Sequence, residues 1–184
     1  NIEKGDQKRI VIVGGGFGGL ELAKNLRKTG MQIVLIDKHN YHQFQPLIYQ
    51  VASAGMEPSS ISFPYRRIFQ KYKNLYFRLA EVKQIDVKNK KVITSIGSVS
   101  YDYVVLAAGA TSNFFGNKEI EKGSMAMKSL SEAARIRNTV LANIERAITT
   151  EDPVFRQELL NIVVVGGGAT GVELAGVGKD STLM

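Results

Sequence analysis

Arg9–Ala23, RIVIVGGGFGGLELA, is the stretch that decides the fold. Ile10, Val11, Ile12 and Val13 form an apolar run that reads as a short buried parallel strand, and Leu20, Leu22 and Ala23 open a helix just past the glycines. Gly14, Gly16 and Gly19 keep a G-x-G-x-x-G spacing within GGGFGG, Gly14–Gly19, which includes Gly15, Phe17 and Gly18. The first glycine permits a tight strand-to-helix turn, the second lets backbone approach a pyrophosphate, and the third lets helix and strand pack closely. The N–H groups at the start of the helix, together with its dipole, then face the phosphates of a dinucleotide.

A lone G-x-G-x-x-G also fits an ordinary glycine-rich turn, so the distance to the next strand is what tests it. After helical Leu20–Lys28, Gly30 supplies a C-terminal cap, and Met31–Ile36 returns as a second strand ending at Asp37. A carboxylate at that point accepts hydrogen bonds from ribose hydroxyls and repels a 2′-phosphate. It therefore favours FAD or NAD over NADP.

The 184 residues, 44% hydrophobic, suffice for about one domain and the start of another, and read as globular and soluble. No apolar run approaches the ~20 residues of a membrane-spanning helix, and Asn1–Lys8 is polar, without a signal-peptide core. Cysteine is absent, which excludes disulfides, Cys-ligated metal and thiol redox chemistry within these residues; His39 and His42 alone offer little for a metal. Net charge is +7, but the basic residues are dispersed in short clusters such as Arg66-Arg67 and Lys88–Lys91. They read as a solvated face, and nucleic-acid binding is not expected.

Beyond Asp37, KHNYHQFQPLIYQVA (Lys38–Ala52) suits either a loop laid over a flat cofactor ring or a buried aromatic connection, and spacing does not separate the two. DKHNYHQFQPLIYQVASAG is similar to the second strand and following loop of type II NADH:quinone oxidoreductases, single-subunit flavoprotein NADH dehydrogenases. The resemblance implies that Asp37, Lys38 and Gln45 contact FAD.

Glu57–Lys73 reads as a helical stretch entered after Pro64, followed by three short β-like runs, Leu75–Leu79, Val82–Val87 and Lys91–Ile96, with turns at Asn89 and Gly97. They make a small antiparallel excursion across 75–100. The resemblance places Val82 where backbone meets the FAD adenine; its plain role is strand termination beside Glu81. Tyr101–Ala110 reads as another buried strand ending in small residues, where Ala108 and Gly109 let backbone approach a ligand at the carboxyl end of a parallel sheet. Many relatives carry Thr at the position of Ala108, so a backbone role is the one that survives. Thr111–Lys128 reads as a loop. Ser129-Leu130-Ser131-Glu132 has capping-box spacing, and Ile136, Val140, Ile144 and Ile148 mark one face of a long helix, read as core, that ends before Asp152-Pro153.

The opening motif then recurs. IVVVGGGATGVELA, Ile162–Ala175, aligns Gly166, Gly168 and Gly171 with Gly14, Gly16 and Gly19 at one constant offset, behind a second apolar strand. Two cradles imply two dinucleotides, the layout for hydride passage from nicotinamide to flavin. This segment is similar to the second fingerprint of the same family, so the resemblance runs from about Arg9 to Gly176. In that family the position of Glu173 lies near the meeting point of nicotinamide and flavin, which makes it the catalytic candidate. Its plain reading is a solvated first-turn acid. Gly176 and Gly178 are poor helix formers, so the helix is expected to end near Ala175, before a polar tail.

The expectation is an α/β chain: a Rossmann-like FAD-binding domain over 1–160, with the antiparallel insertion and a helical connection at 129–160, then the truncated start of an NAD(H)-binding domain over 161–184. The resemblance implies hydride transfer from NADH to FAD and electrons to a membrane quinone, with peripheral attachment to the cytoplasmic side of an inner membrane through a C-terminal region absent here. The 184 residues alone are expected to be soluble and to hold at most the FAD half. Disulfide and sulfide-oxidising reductases lack their cysteines here. A ferredoxin-type flavoreductase and a non-catalytic nucleotide-binding fragment stay open as alternatives.

Overall fold

A computed structural model describes residues 2–180. In chain order the elements are β1 (Arg9–Val13), α1 (Phe17–Asn25), β2 (Gln32–Asp37), β3 (Tyr41–Gln43), α2 (Ile48–Ala52), β4 (Ser62–Pro64), α3 (Tyr65–Phe69), β5 (Leu75–Leu79), β6 (Val82–Asp86), β7 (Lys91–Thr94), β8 (Gly97–Ser100), β9 (Tyr103–Leu106), α4 (Lys118–Gly123), α5 (Leu130–Thr149), α6 (Pro153–Leu160) and α7 (Ala169–Asp180). The chain divides into two units, Asn1–His42 with Ser62–Ala110, and Gln43–Ile61 with Thr111–Met184.

The first unit is built on a parallel sheet in the order β5-β2-β1-β9. Val11 lies opposite Val34 on one side and Val104 on the other. Both faces of β1 and β2 are covered, which is why these strands read as unbroken apolar runs rather than alternating ones. One face packs Ile10, Ile12, Ile33 and Leu35 against Leu20 and Ala23 of α1 and against Tyr65, Phe69 and Phe77. On the other, Val11, Val34 and Ile36 meet Val92 of β7 and Tyr101.

The antiparallel sheet consists of β6, β7 and β8 only. Leu75–Leu79, expected in it, is instead β5 of the parallel sheet, with Ile33 opposite Leu75. Its alternate residues Leu75 and Phe77 point into the first core, which rewards that pairing. The place left by this run is taken by Gly97–Ser100, with Gly97 at φ +123° entering β8 from the turn.

At the start of β1 sits a buried arginine. The Arg9 guanidinium donates to Gln32, to Ser100 and to the Ile2 carbonyl, and burial lowers its pKa although Asp102 opposes the shift. Asp102 accepts the Arg9 backbone N–H at 2.7 Å and pairs with Lys4 at 2.8 Å; these two contacts hold its carboxyl down at about 2.

The second unit is helical. The capping box at Ser129 forms, with Glu132 Oε2 accepting the Ser129 N–H at 2.7 Å and Ser129 Oγ accepting the Glu132 N–H at 3.3 Å. The Asp152 side chain caps α6 by accepting the Val154 and Phe155 N–H, with Pro153 in the first turn. A short helix, α4, lies in the stretch read as loop, begun by Asn117, whose side chain accepts from Glu119 and Ile120 N–H. The α5 stripe is only partly core: Ala133 and Ala147 are buried, Ile136, Val140 and Ile144 are half-buried, and Ile148 is exposed. Short α2 and α6 pack on it, too little to cover the whole face.

Candidate functional site

In the first unit, β1 passes into α1 through a turn whose inner side is filled by the protein itself. The Gly14 N–H donates to the Ile36 carbonyl at 2.8 Å, and Gly14 sits at φ +100°, where a Cβ would stand 2.3 Å from the Ala107 carbonyl oxygen. A Cβ on Gly19 would stand 1.9 Å from the Gly14 carbonyl oxygen, so α1 lies directly on the turn. The outer side is different. Beyond the adjoining backbone, no protein atom comes within 4 Å of a Cβ placed on Gly16 or Gly18, and Gly16 precedes α1 as its N-cap, with no side-chain cap and no acidic residue in the first turn. Such a helix start, with open glycines in front of it, accommodates an anionic group brought close to backbone N–H.

Asp37 ends β2 beside this turn. Its Oδ2 accepts the Gly15 N–H at 2.6 Å and its Oδ1 accepts the His39 N–H at 2.8 Å, with His39 Nδ1 also 3.5 Å from Oδ1, which leaves Oδ2 a lone pair for a further donor. Lys38 is exposed next to it. The Ala80 N–H donates to the Asp37 carbonyl at 2.9 Å, so the chain entering β6 at Val82 starts from the same strand end. Ala108, with its Cα 3.1 Å from a Cβ on Gly14, and Gly109, at φ +70°, follow β9 and are exposed. The first unit thus collects Gly14–Gly19, Asp37, Lys38, Val82, Ala108 and Gly109 around the carboxyl ends of its parallel strands, where open α/β sheets take ligands.

Two residues of this arrangement were not singled out from the sequence. Tyr65 Oη donates to the Gly15 carbonyl at 2.6 Å, and His42 Nδ1 lies 3.1 Å from the same oxygen while its ring meets Phe17 edge-on. The one available signal was the aromatic content after Pro64 and around His42, which gives no distance to the glycines.

In the second unit, Gln45 Nε2 and Gln43 Nε2 both donate to the Lys128 carbonyl, at 3.2 and 3.1 Å, and Gln43 Oε1 accepts the Leu130 N–H. The second glycine turn repeats the first from within: Gly166 is at φ +112°, and a Cβ on Gly171 would stand 2.3 Å from the Gly166 carbonyl oxygen. Gly168 is open, and its carbonyl accepts the Val172 N–H. Ile162–Val165, expected as a strand, joins no sheet, with Val163 84% exposed. A parallel strand exists only beside a partner, and none is present for it among the described residues. Its glycines therefore lack the neighbour that Ala107 provides to Gly14. Contrary to expectation, α7 continues through Gly176 to Asp180, since a helical glycine costs about 1 kcal/mol without forbidding the helix. The expected polar tail beyond it, Ser181–Met184, lies outside the described residues. Glu173 is exposed in the second turn of α7, so it is not the first-turn acid of its plain reading.

Residues 8–182 match the family of pyridine nucleotide-disulphide oxidoreductases, a match that runs past Gly176, where the resemblance read from the sequence had ended. The chain belongs to that family. It is similar to type II NADH:quinone oxidoreductase Ndh of Mycobacterium tuberculosis, 38% identical over 172 residues, a match covering 91% of this chain and 37% of that protein. External alternative NAD(P)H-ubiquinone oxidoreductase B2 of Arabidopsis thaliana mitochondria is 36% identical over 181 residues, covering 92% and 31%. The solved structure of NDH2 from Plasmodium falciparum in complex with NADH superposes with a TM-score of 0.85 at 25% identity, covering 93% of this chain and 36% of that one. The chain thus spans about a third of the length of the relatives it matches. Within this family these 184 residues carry no cysteine, so no disulphide chemistry resides in them.

Proposed function

We propose that these residues form the FAD-holding unit and the opening of the NAD(H)-holding unit of a flavin-dependent NADH:quinone oxidoreductase. The observation that carries the reading is the Gly14–Gly19 turn, filled behind and open in front, beside the Asp37 carboxylate, with its glycine spacing and its close helix-to-turn contact recurring at Gly166–Gly171. In this assignment FAD-holding residues lie within 1–160 and the NAD(H) unit begins at 161.

The open glycines Gly16 and Gly18, with Phe17, bring backbone N–H to the cofactor diphosphate, and Gly15, whose own N–H is held by Asp37, keeps the turn in shape beside it. Asp37 accepts from the adenosine ribose through Oδ2, and Lys38 adds positive charge beside it. Val82 offers backbone to the adenine, Ala108 and Gly109 offer backbone at the sheet end, and Gln45 is assigned as a further FAD contact. Gly166, Gly168 and Gly171 serve the NADH diphosphate, and Glu173 orients the nicotinamide. Bound flavin supplies hydride acceptance from NADH and electron delivery to quinone; the chain supplies binding, alignment and exclusion of the 2′-phosphate. Among the described residues no helix is long and apolar enough to cross a membrane. In this assignment, approach to a membrane quinone is peripheral, from the cytoplasmic side.

Titration of the purified chain with FAD, followed by visible absorption and then by anaerobic NADH, tests this. Saturable uptake of one flavin per chain supports the FAD unit, and bleaching by NADH extends the support to the second turn. Absence of flavin uptake at any concentration refutes the proposal.

A further inference from the structure

The peptide plane between Gly15 and Gly16 is gripped from behind. Tyr65 Oη donates to the Gly15 carbonyl at 2.6 Å, His42 Nδ1 reaches the same oxygen at 3.1 Å, and the Gly15 N–H on the preceding plane is held by Asp37 at 2.6 Å. Tyr65 is 2% exposed, with its ring against Phe69 (interplanar angle 7°) and Phe77 (ring centroids 4.9 Å apart). Burial, with Asp37 adding to it, pushes the phenol above its ordinary range, so it remains a proton donor throughout physiological pH. Space is shared as tightly as the hydrogen bond: a Cβ on Gly15 would stand 2.3 Å from Tyr65 Oη. At the equivalent place in the second turn, Gly167, nothing lies within 4 Å.

A trans peptide carries its C=O and the following N–H on opposite sides, and among the described residues there are no cis peptide bonds. A Gly15 carbonyl drawn towards Tyr65 and His42 therefore turns the Gly16 N–H away from them, at a residue where an added Cβ would also find open space. Were this plane to flip, which glycine tolerates readily, the carbonyl dipole would face an approaching anion. We infer that Tyr65 is a positioning residue for the diphosphate of a dinucleotide, acting through the Gly15 carbonyl to keep the Gly16 N–H presented. The inference rests on the proposed FAD unit and deepens it. It assigns the diphosphate, rather than the nucleoside, as the part of the ligand that senses Tyr65, and it makes Gly15 a consequence of the phenol packed beneath it.

The test is a pair of affinities measured on each of three proteins, the wild-type chain, Tyr65→Phe and the packing control Phe69→Leu, with ADP and adenosine as competitors of FAD. Tyr65→Phe keeps the ring and removes the donor. It should weaken ADP by about tenfold, the worth of one oriented hydrogen bond, and adenosine by less than about twofold, so the ADP-to-adenosine ratio falls. Phe69→Leu lowers the melting temperature yet keeps the ratio, which separates positioning from loss of structure. Because the readout is a ratio within one folded sample, partial unfolding of a variant cancels. An unchanged ratio in Tyr65→Phe, or an equal fall in Phe69→Leu, overturns the inference and leaves the FAD unit standing. A wild-type chain that takes up neither FAD nor ADP overturns the FAD unit itself and this inference with it.

Discussion

Gly19→Ala is the substitution whose effect follows most directly from the packing of α1 on the turn. The added Cβ would stand 1.9 Å from the Gly14 carbonyl oxygen and 3.3 Å from Ala107 Cβ, whereas real Cβ contacts do not come within 3.0 Å. The nearest atom is backbone, so the helix must move off β1 by about an ångström or more, opening the core that Leu20 and Ala23 share with Ile10 and Ile12. Overpacking of this kind costs typically about 1–3 kcal/mol. Against it stands the helix-propensity gain of alanine over glycine, up to about 1 kcal/mol. Gly18→Ala, one residue earlier in the same helix turn, receives that gain and meets nothing within 4 Å. The difference between the two variants isolates the contact. Thermal and urea unfolding, followed by far-ultraviolet circular dichroism without added cofactor, should place Gly19→Ala several degrees below Gly18→Ala, at about 2–4 °C per kcal/mol for a chain of this size. Equal stability of the two variants would refute the claim that close packing of α1 on the turn requires a glycine there.

Other expectations follow from the charged and capping groups. The Asp102 carboxyl, held near 2 by the Arg9 N–H and by Lys4, has a folded pKa below its ordinary 3.8. Its contribution is therefore present above about pH 4 and is lost as the pH falls towards 2. The urea midpoint of the wild-type chain should fall more steeply across that window than that of Asp102→Asn, and parallel curves would contradict the assignment. Ser129→Ala removes the acceptor for the Glu132 N–H at the start of α5 and should cost about 1 kcal/mol. An unchanged melting temperature would mean that the capping box contributes nothing to the second unit.

What could be read from the sequence is what local physics determines. The strand, glycine turn, helix and returning strand from Arg9 to Asp37 require only the spacing of apolar residues and glycines, and the structure has them. The capping box at Ser129 and the Asp152-Pro153 helix start are equally local. Partner choice is not. Leu75–Leu79 looks like any short β run until Ile33 is available beside it, and Ile162–Val165 has the composition of a buried strand but no neighbour to bury it. The α5 stripe has the period of a core face without enough chain packed on it to make one throughout. The same limit hid Tyr65, which touches Gly15 across 50 residues of sequence, and the extent to which Ala107 closes the back of the turn. Asn117 was legible in principle as a helix cap, but its helix is only six residues long and has no apolar period.

The central claim is that FAD is held by the first glycine turn and not by the second. The most direct measurement is flavin uptake, by visible absorption at saturating FAD, of Gly16→Asp beside Gly168→Asp. Both positions are open, so neither added Cβ meets protein within 4 Å beyond its chain neighbours, and each substitution sets a carboxylate where a diphosphate would approach. The expected result is stoichiometric flavin in the wild-type chain and in Gly168→Asp, with uptake lost in Gly16→Asp. Flavin retained by Gly16→Asp, or lost instead in Gly168→Asp, would contradict the assignment.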